Sequence, residues 1–233
     1  MGKKEKVKNI FNDIAGSYDG LNGILSLNID TLWRKRMMKT ICSGNKGELL
    51  DVACGTGDSA IAAWKSGVSR IVGVDLSENM LEVGRKKIRR MGLDGRISLV
   101  NGDCESLTFE DGRFDAVSSV FGIRNFENPR KGLSEMFRVM KNGGQVLILE
   151  FSTPVKFPVK QLYRFYFFNM LPLIGRWISG NRHAYEYLPA SVANFPQGED
   201  FLAMMRDAGF TRLEIRPYTM GIATLYSGYK SSF

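Results

Sequence analysis

Cysteine and histidine are scarce in this 233-residue sequence, which contains three cysteines and one histidine. Cys42, Cys54 and Cys104 stand far apart and form no C-x-x-C pair, so a recognisable zinc site is excluded. We expect no bound metal and predict free thiols, as in a reducing cytoplasm. Long apolar runs are also missing. Since no stretch of eighteen or more apolar residues occurs, no transmembrane helix is predicted.

Positive charge is in excess. The sequence has 32 lysines and arginines against 24 acids, a formal net charge of +8, which favours an acidic partner such as nucleic acid, an anionic membrane or an acidic substrate. Basic and aromatic residues do not alternate on strands, so nucleic acid is not predicted as a partner. The N-terminal end is charged and has no apolar segment, which argues against a secretory signal. We interpret its lysines as a solvated, frayed terminus rather than a binding arm: Lys3, Lys4, Lys6 and Lys8.

Short apolar runs alternate with amphipathic stretches from residue 49 onward, a rhythm typical of βαβ units and a parallel sheet. The apolar runs predict strands at 49–53, 70–75, 97–103, 114–122 and 145–151. The amphipathic stretches predict helices after Gly57, over 77–91 and over 128–141, the last followed by a turn at 142–144. Near the end a helix at 198–210 precedes two alternating runs, 212–219 and 221–230, which predict an antiparallel pair.

Two segments lie outside this alternation. Residues 1–42 are predicted to form an N-terminal helical cap, and the aromatic-rich residues 154–198 a helical insertion. Insertions of this kind in α/β sheets commonly supply a lid or a substrate pocket. The length suits one buried core better than two, so we predict a single domain over residues 1–233.

A glycine-punctuated turn follows the first predicted strand. Residues 55–60 satisfy the pattern G-x-G-x-x-G/A, and Asp75 lies near the spacing expected for an acid that binds a ribose. The glycines, Gly55 and Gly57, allow a tight turn and the close approach of a ligand. A dinucleotide site therefore remains one interpretation. A P-loop is excluded because no G-K-[ST] follows the glycines.

Four acids surround this turn or end the neighbouring strands: Asp51, Asp58, Asp75 and Asp103. They would repel a pyrophosphate, whereas they suit a ligand that carries an ammonium and a sulfonium group. Asp58 can alternatively be an ordinary helix-start acid, and Asp51 can stabilise the turn. As a set, the acids fit S-adenosylmethionine better than NAD.

Successive motifs resemble those of class I S-adenosylmethionine-dependent methyltransferases: DVACGTGD (51–58), GVDLSENML (73–81), NGDCESLTFEDGRFD (101–115) and FRVMKNGGQVLILEF (137–151). This resemblance implies an α/β, Rossmann-like fold with a seven-stranded, mostly parallel sheet that ends in an antiparallel hairpin. Further stretches resemble the quinone C-methyltransferases of menaquinone and ubiquinone biosynthesis: residues 11–34, FGIRNFENP (121–129), YEYLPASVANFP (185–196) and MGIATLYSGYK (220–230). The similarity runs from about residue 10 to about residue 230.

The resemblance implies how the cofactor is held. In that family a threonine of the glycine loop, the acid that ends the second strand and a pair after the third strand bind it. These roles fall on Thr56, on Asp75, and on Asp103 with Cys104, where the family often has Asn-Ala. A cysteine beside the adenine should act as a small apolar contact. Some members also use a serine where this chain has Val120, so that contact is not carried over.

The implied substrate is a polyprenyl quinol, whose ring carbon attacks the methyl group more readily when a hydroxyl is ionised. Burial disfavours a phenolate, so a nearby cation is needed. Arg124 is our candidate, with Asn125 as a residue that orients the hydroxyl. Alternatively, Arg124 is a buried structural arginine and Asn125 forms a turn. Tyr185 and Tyr187 fall on the family motif, where they could line the ring pocket or serve as packing aromatics. The family motif does not require a histidine at the position of His183.

An apolar segment could receive the prenyl tail. YRFYFFNMLPLIGRWI (163–178) is too short and interrupted to span a bilayer, and it fits either a helix pair that covers the core or a lid that draws substrate from the membrane. Basic residues surround it: Lys156, Lys160, Arg164, Arg176 and Arg182. We expect a cytoplasmic enzyme that contacts the inner face of the anionic cell membrane peripherally.

The resemblance favours methylation of demethylmenaquinol. The alternative is the 2-methoxy-6-polyprenyl-1,4-benzoquinol of ubiquinone biosynthesis, or both quinols. Two other interpretations of the function remain: an NAD-dependent oxidoreductase and a non-catalytic, methyltransferase-like binding subunit. The quinone, the tail length and the oligomeric state are not determined by the sequence.

Overall fold

The computed structural model describes residues 2–41, 43–170 and 182–231. Helices α1 (Lys3–Ile14), α2 (Tyr18–Ser26) and α3 (Ile29–Met38) precede the sheet. The alternating part follows in chain order: β1 (Glu48–Val52), α4 (Asp58–Lys65), β2 (Arg70–Asp75), α5 (Glu78–Arg90), β3 (Ile97–Asn101), β4 (Phe114–Val120), α6 (Pro129–Val139) and β5 (Met140–Phe151). The remaining elements are α7 (Val159–Phe165), α8 (Arg182–Asn194), α9 (Glu199–Asp207), β6 (Phe210–Tyr218) and β7 (Ala223–Lys230).

The strands form a seven-stranded sheet in the order β3-β2-β1-β4-β5-β7-β6. Strands β1 to β5 pair in parallel, whereas β7 runs antiparallel to both β5 and β6. The predicted seven-stranded, mostly parallel sheet with a terminal antiparallel hairpin is therefore confirmed. The strand order reverses between β1 and β4, and ligands of open α/β sheets bind at the carboxyl ends of strands at such a point.

Helices cover both faces of the sheet. Residues of α3, α4 and α5, including Met37, Ala60 and Leu81, are buried in one core with the sheet. Residues of α6 and α9, including Met136 and Phe201, are buried in a second core on the opposite face. The parallel strands are covered on both sides, which is why they read as nearly continuous apolar runs.

A smaller third core joins the two segments that lie outside the alternation. Ile14 of α1 and Leu21 of α2 are buried with Tyr163, Phe167 and Val192 of the insertion. The N-terminal helices and the described part of the insertion therefore pack on each other. None of the helices described here is long and apolar enough to cross a membrane.

The junction of α6 and β5 differs from the sequence prediction. The helix was expected to reach residue 141 and a turn to follow at 142–144, but α6 ends at Val139 and β5 begins at Met140. Met140 pairs with Phe114 and Gln145 with Ala116, so the intervening residues form a bulge within the strand. Gly143 adopts φ 76°, which explains why a glycine-rich stretch can be accommodated inside β5.

Candidate active site

The glycine loop leaves the carboxyl end of β1 at the point where the strand order reverses. Gly55 (φ 54°) and Gly57 (φ 79°) adopt left-handed backbone conformations that favour glycine. A Cβ atom at Gly57 would also lie 3.3 Å from the Leu99 side chain. The backbone N–H of Cys54 donates to the Val74 carbonyl at 3.1 Å, so β2 holds the loop close to the sheet.

Asp75 lies at the carboxyl end of β2, facing this loop. One carboxylate oxygen accepts a hydrogen bond from the Gly55 N–H and the other from the Ser77 N–H, both at 2.9 Å. Burial raises the pKa of Asp75, although these backbone donors act to lower it. Each carboxylate oxygen retains lone-pair capacity for a second donor, so the group is oriented in advance to receive a pair of hydroxyls.

A cleft of about 870 Å³, counting the space open to solvent, lies against this loop. Most of the predicted cofactor residues line it: Gly55, Thr56, Asp75, Asp103 and Cys104. Asp51 and Gly57 are not part of its wall. Burial raises the pKa of the Cys54 and Cys104 thiols well above their usual value, which suits Cys104 as a small apolar surface.

The hydroxyl of Thr56 contacts a charged cluster that sequence reasoning missed. It donates to Asp19 of α2 at 2.5 Å, and the Lys87 ammonium bridges Asp19 at 2.6 Å and Asp58 at 2.5 Å. Asp58 itself lines the cleft and begins α4. A carboxylate at this helix N-terminus stands where a pyrophosphate would bind in a dinucleotide site, so the cleft suits a cationic ligand better.

Helix α1 covers the cleft, so the predicted frayed terminus is wrong. Lys4 forms a 2.8 Å salt bridge with Asp103, and the Lys3 ammonium donates to the backbone carbonyls of Arg124, at 3.0 Å, and Phe126. Partial burial acts to raise the pKa of Asp103, but the hydrogen bonds from Lys4 and the Glu105 N–H, together with the nearby lysine charges, outweigh it and lower the pKa. The signal that could have revealed this packing is the apolar stripe at helical spacing that begins among the lysines and continues past them: Val7, Ile10, Phe11 and Ile14.

Asp51 lies beneath the loop on β1 and is 1% exposed. One oxygen accepts a hydrogen bond from the Ser118 hydroxyl at 2.9 Å, while the other has no hydrogen-bond partner among the residues described. Burial is the main cause that raises the pKa of Asp51 from 3.8 to about 7.

Stability should therefore fall as the pH rises. Between pH 3.8 and about 7 the folded protein retains a proton on Asp51 that the unfolded chain has released. The free energy of unfolding should decrease across this window, by about 4 kcal/mol at most from this group. Asp51→Asn should flatten that decrease. Urea unfolding of the unaltered protein and of Asp51→Asn at pH 5 and pH 7.5 checks this prediction. Equal decreases in the free energy of unfolding of the two proteins would contradict it.

A second, larger cavity adjoins the cleft. It has a volume of about 2000 Å³, counting the space open to solvent, and α1 to α3, the ends of β4 and β5 and the insertion enclose it. Its walls are mostly apolar and include Ile14, Trp33, Phe151 and Leu188. Four residues line both spaces, so the two meet there: Phe11, Tyr18, Arg34 and Phe121.

Arg124 and Asn125 follow β4 in a short 3-10 turn. Arg124 lines the apolar cavity, and its guanidinium forms a 3.0 Å salt bridge with Glu150 on β5 and donates to the Phe121 carbonyl. Both charged side chains are buried, and burial raises the pKa of Glu150. The arginine therefore has the partners expected of a structural role while it faces the cavity.

Asn125 lines the cleft, and its side-chain oxygen accepts a hydrogen bond from the Tyr187 hydroxyl at 3.1 Å. Tyr187 itself lines the apolar cavity. The pair Asn125–Tyr187 thus connects the walls of the two spaces. The side chains of Tyr185 and His183 lie outside the described part of the chain, as do the Arg182 side chain and residues 171–178 of the apolar segment, Arg176 among them.

Comparisons with known proteins agree with one another. A model of the ubiE/COQ5 methyltransferase family matches residues 1–230. A demethylmenaquinone methyltransferase of Bacteroides fragilis is 44% identical over 229 residues, which cover 98% of this chain and 94% of that protein. A ubiquinone/menaquinone biosynthesis C-methyltransferase, UbiE, of Geobacter sulfurreducens is 46% identical over 230 residues, covering 98% of this chain and 90% of that protein.

Solved structures share the fold. A SAM-dependent methyltransferase of Thermotoga maritima superposes with a TM-score of 0.69 at 20% identity. The match covers 97% of this chain and 100% of that chain. Phosphoethanolamine N-methyltransferase 2 of Haemonchus contortus, solved in complex with S-adenosyl-L-methionine, gives a TM-score of 0.62 at 18% identity, with 86% of this chain and 53% of that chain covered. At these identities the likeness concerns the fold alone.

Proposed function

This chain belongs to the ubiE/COQ5 methyltransferase family, and we propose that it transfers a methyl group from S-adenosylmethionine to a ring carbon of demethylmenaquinol. It is an S-adenosylmethionine-dependent enzyme, which decides against the nicotinamide-dependent oxidoreductase and the non-catalytic subunit that the sequence left open. The relative from Bacteroides is named a demethylmenaquinone methyltransferase. The Geobacter relative is named for both pathways, so the benzoquinol of ubiquinone biosynthesis remains the alternative substrate.

The observation that carries this proposal is the meeting of a cleft that contains several acids with a large apolar cavity. A reaction between a charged cofactor and a prenylated ring needs two such spaces side by side. They share walls at Tyr18, Arg34 and Phe121, so a ring in the apolar cavity can approach a methyl group held in the cleft. Holding two reactants in line can by itself be worth roughly 7–11 kcal/mol.

The cleft residues fit S-adenosylmethionine. Asp75 would bind the ribose hydroxyls, because its oxygens are already fixed by two backbone donors. Asp103 and Cys104 would contact the adenine of the cofactor. Gly55 and Thr56 would contact the rest of the S-adenosylmethionine molecule. Acids in the wall, Asp58 among them, suit a cationic ligand. When bound, the cofactor supplies an electrophilic methyl group on a sulfonium.

Protein groups in the walls of the two spaces would favour ionisation of the quinol hydroxyl. The Arg124 guanidinium lines the apolar cavity, so we assign it to stabilise the developing phenolate, with Asn125 and Tyr187 orienting the ring. The salt bridge to Glu150 partly offsets the positive charge of Arg124, but it also fixes the position of the guanidinium. Helix α1 and α7 of the insertion line the apolar cavity, and such apolar surroundings would strengthen these polar contacts.

A methyl-transfer assay tests the proposed function. Labelled S-adenosylmethionine is supplied with demethylmenaquinol or with 2-methoxy-6-polyprenyl-1,4-benzoquinol, both kept reduced. Transfer to the naphthoquinol alone is expected, whereas transfer to both would mean that the enzyme serves both pathways. Cofactor binding without transfer to either quinol would overturn the quinone assignment.

We also propose that the cavity opens toward a membrane. Ile24, Leu27 and Leu162 line the apolar cavity and are exposed, at 56%, 79% and 66%. Next to Leu162, the exposed side chains of Val155, Phe157 and Phe165 extend this apolar rim. Basic side chains interleave with them and are exposed as well: Lys156, Lys160 and Arg164. An apolar rim with basic residues suits the cytoplasmic face of an anionic bilayer, from which a prenylated substrate would enter.

Reversing the charge of the rim should release the enzyme from vesicles. Each basic residue near an anionic surface contributes about 1 kcal/mol, so changing Lys156, Lys160 and Arg164 to Glu should weaken binding to anionic vesicles by about 100-fold or more. A matched control reverses three exposed basic residues of α5, Lys86, Arg89 and Arg90, and should weaken binding far less. Vesicle co-sedimentation measures both, and equal losses would contradict a specific membrane face.

A further inference from the structure

Buried polar atoms without partners mark places where a ligand can bind. Among the residues described, four buried side-chain atoms have no hydrogen-bond partner: Arg34 Nε, Asp51 Oδ2, Ser119 Oγ and the Tyr163 hydroxyl. Such atoms are costly, because a buried donor or acceptor loses its hydrogen bonds to water without compensation. Arg34 and Tyr163 both line the apolar cavity. Two residues of the cavity wall therefore each carry a buried, unsatisfied hydrogen-bond donor.

Tyr163 is held firmly in the wall. It is 6% exposed, its ring stacks on Phe167 with centroids 4.6 Å apart, and it belongs to the third core with Ile14 and Leu21. Burial raises the pKa of its phenol, so the hydroxyl stays protonated and can donate. The packing fixes the ring without any contribution from the hydroxyl.

Arg34 lies at the junction of the two spaces. It is 8% exposed, its guanidinium forms a salt bridge with Asp30 one turn earlier in α3, and it stands 5.7 Å from the centroid of the Phe121 ring. The salt bridge uses Nη1, which leaves the Nε–H without an acceptor. A guanidinium has only donors, so the group that satisfies Nε must be an acceptor.

We propose that Arg34 and Tyr163 bind the two ring oxygens of the substrate, each by donating one hydrogen bond. This inference rests on the proposed function and names residues that position the ring. A 1,4-quinol or quinone presents two oxygens on opposite sides of an apolar ring, and such a molecule can satisfy two separate donors in an apolar wall. A hydrocarbon of the same shape satisfies neither. Because Arg34 also lines the cofactor cleft, it would hold the oxygen nearer the reacting carbon, and Tyr163 the other.

Binding of a stable probe tests the inference without turnover. The probe is oxidised 2-prenyl-1,4-naphthoquinone with a short tail, and the comparison ligand is 2-prenylnaphthalene, which lacks both oxygens. Tyr163→Phe should weaken binding of the quinone by about 10-fold and leave binding of the naphthalene unchanged. Arg34→Lys keeps the positive charge but removes Nε, and should weaken quinone binding by a similar factor.

A stability measurement separates this role from a structural one. Since the Tyr163 hydroxyl has no partner in the free protein, Tyr163→Phe should keep or raise the melting temperature. The matched control is Tyr226→Phe, which removes a hydroxyl that accepts a hydrogen bond from the Gly198 N–H at 2.8 Å. That control should lower the melting temperature by a few degrees and leave quinone affinity intact.

The outcomes are distinguishable from a failure of the proposed function. Methyl transfer by the unaltered enzyme together with equal quinone affinity in Tyr163→Phe would overturn the inference and leave the function standing. Quinone binding that depends on Tyr163 and Arg34, without methyl transfer to any quinol, would support the inference and overturn the reaction. Quinone and naphthalene affinities that are equal in the unaltered protein would also overturn the inference.

Discussion

Asp75→Ala is expected to weaken S-adenosylmethionine binding by about 100-fold. The carboxylate is fixed by the N–H groups of Gly55 and Ser77 and can accept hydrogen bonds from two ribose hydroxyls. Hydrogen bonds to a charged group are worth about 1.5–3 kcal/mol each, and tenfold in affinity corresponds to about 1.4 kcal/mol. Calorimetric titration of the cofactor into the purified enzyme measures the loss.

A control separates lost contacts from a collapsed loop. Asp75→Ala also leaves two backbone donors unpaired, so its melting temperature has to be measured alongside its affinity. Asp94→Ala removes an exposed aspartate of the connection between α5 and β3 and should change neither quantity. If Asp75→Ala bound the cofactor as tightly as the unaltered protein, Asp75 would not bind the ribose.

Arg124→Met should destabilise the fold by about 3–5 kcal/mol, because it leaves the Glu150 carboxylate buried without its partner. Reduced yield and activity are therefore expected from this variant whatever its catalytic role. Chemical unfolding measures the loss. A decrease below about 1 kcal/mol would contradict a buried, compensating pair.

The double variant Arg124→Met with Glu150→Gln distinguishes the structural from the catalytic role. Removing both charges should restore most of the stability, since no buried charge is left unpaired and the glutamine oxygen can still accept from one of the two backbone N–H groups that contact Glu150. If Arg124 stabilises the phenolate, kcat should stay low after stability returns. Recovery of both stability and kcat would assign Arg124 to the fold alone.

The sheet could be predicted from the sequence because its signals are local. Apolar runs of strand length, the turn at Gly55 and Gly57, and the alternation of the last two strands each report on a few adjacent residues. The acid Asp75 was predicted to line a cleft for the same reason, since strand ends in a parallel sheet meet at one edge. The bulge around Gly143 was missed because Asn-Gly-Gly is equally typical of a turn.

The junction of the two cavities could not be predicted in the same way. Tyr18, Arg34 and Phe121 reach it from α2, α3 and the end of β4, and their placement depends on how the N-terminal helices pack against the sheet and the insertion. The position of α1 was misjudged because its lysines are conspicuous, while the stripe of apolar residues that begins among them at Val7 is short. Residues whose role depends on such packing leave no local signature.

The most direct test of the central claim is the position of the transferred methyl group. Demethylmenaquinol and S-adenosylmethionine with a ¹³C-labelled methyl group are incubated with the enzyme, and the extracted product is examined by NMR. A ring held in the apolar cavity against the cleft should receive the label on a ring carbon, as an aryl methyl group. Label found on oxygen as a methoxy group, or no labelled quinone at all, would contradict the account.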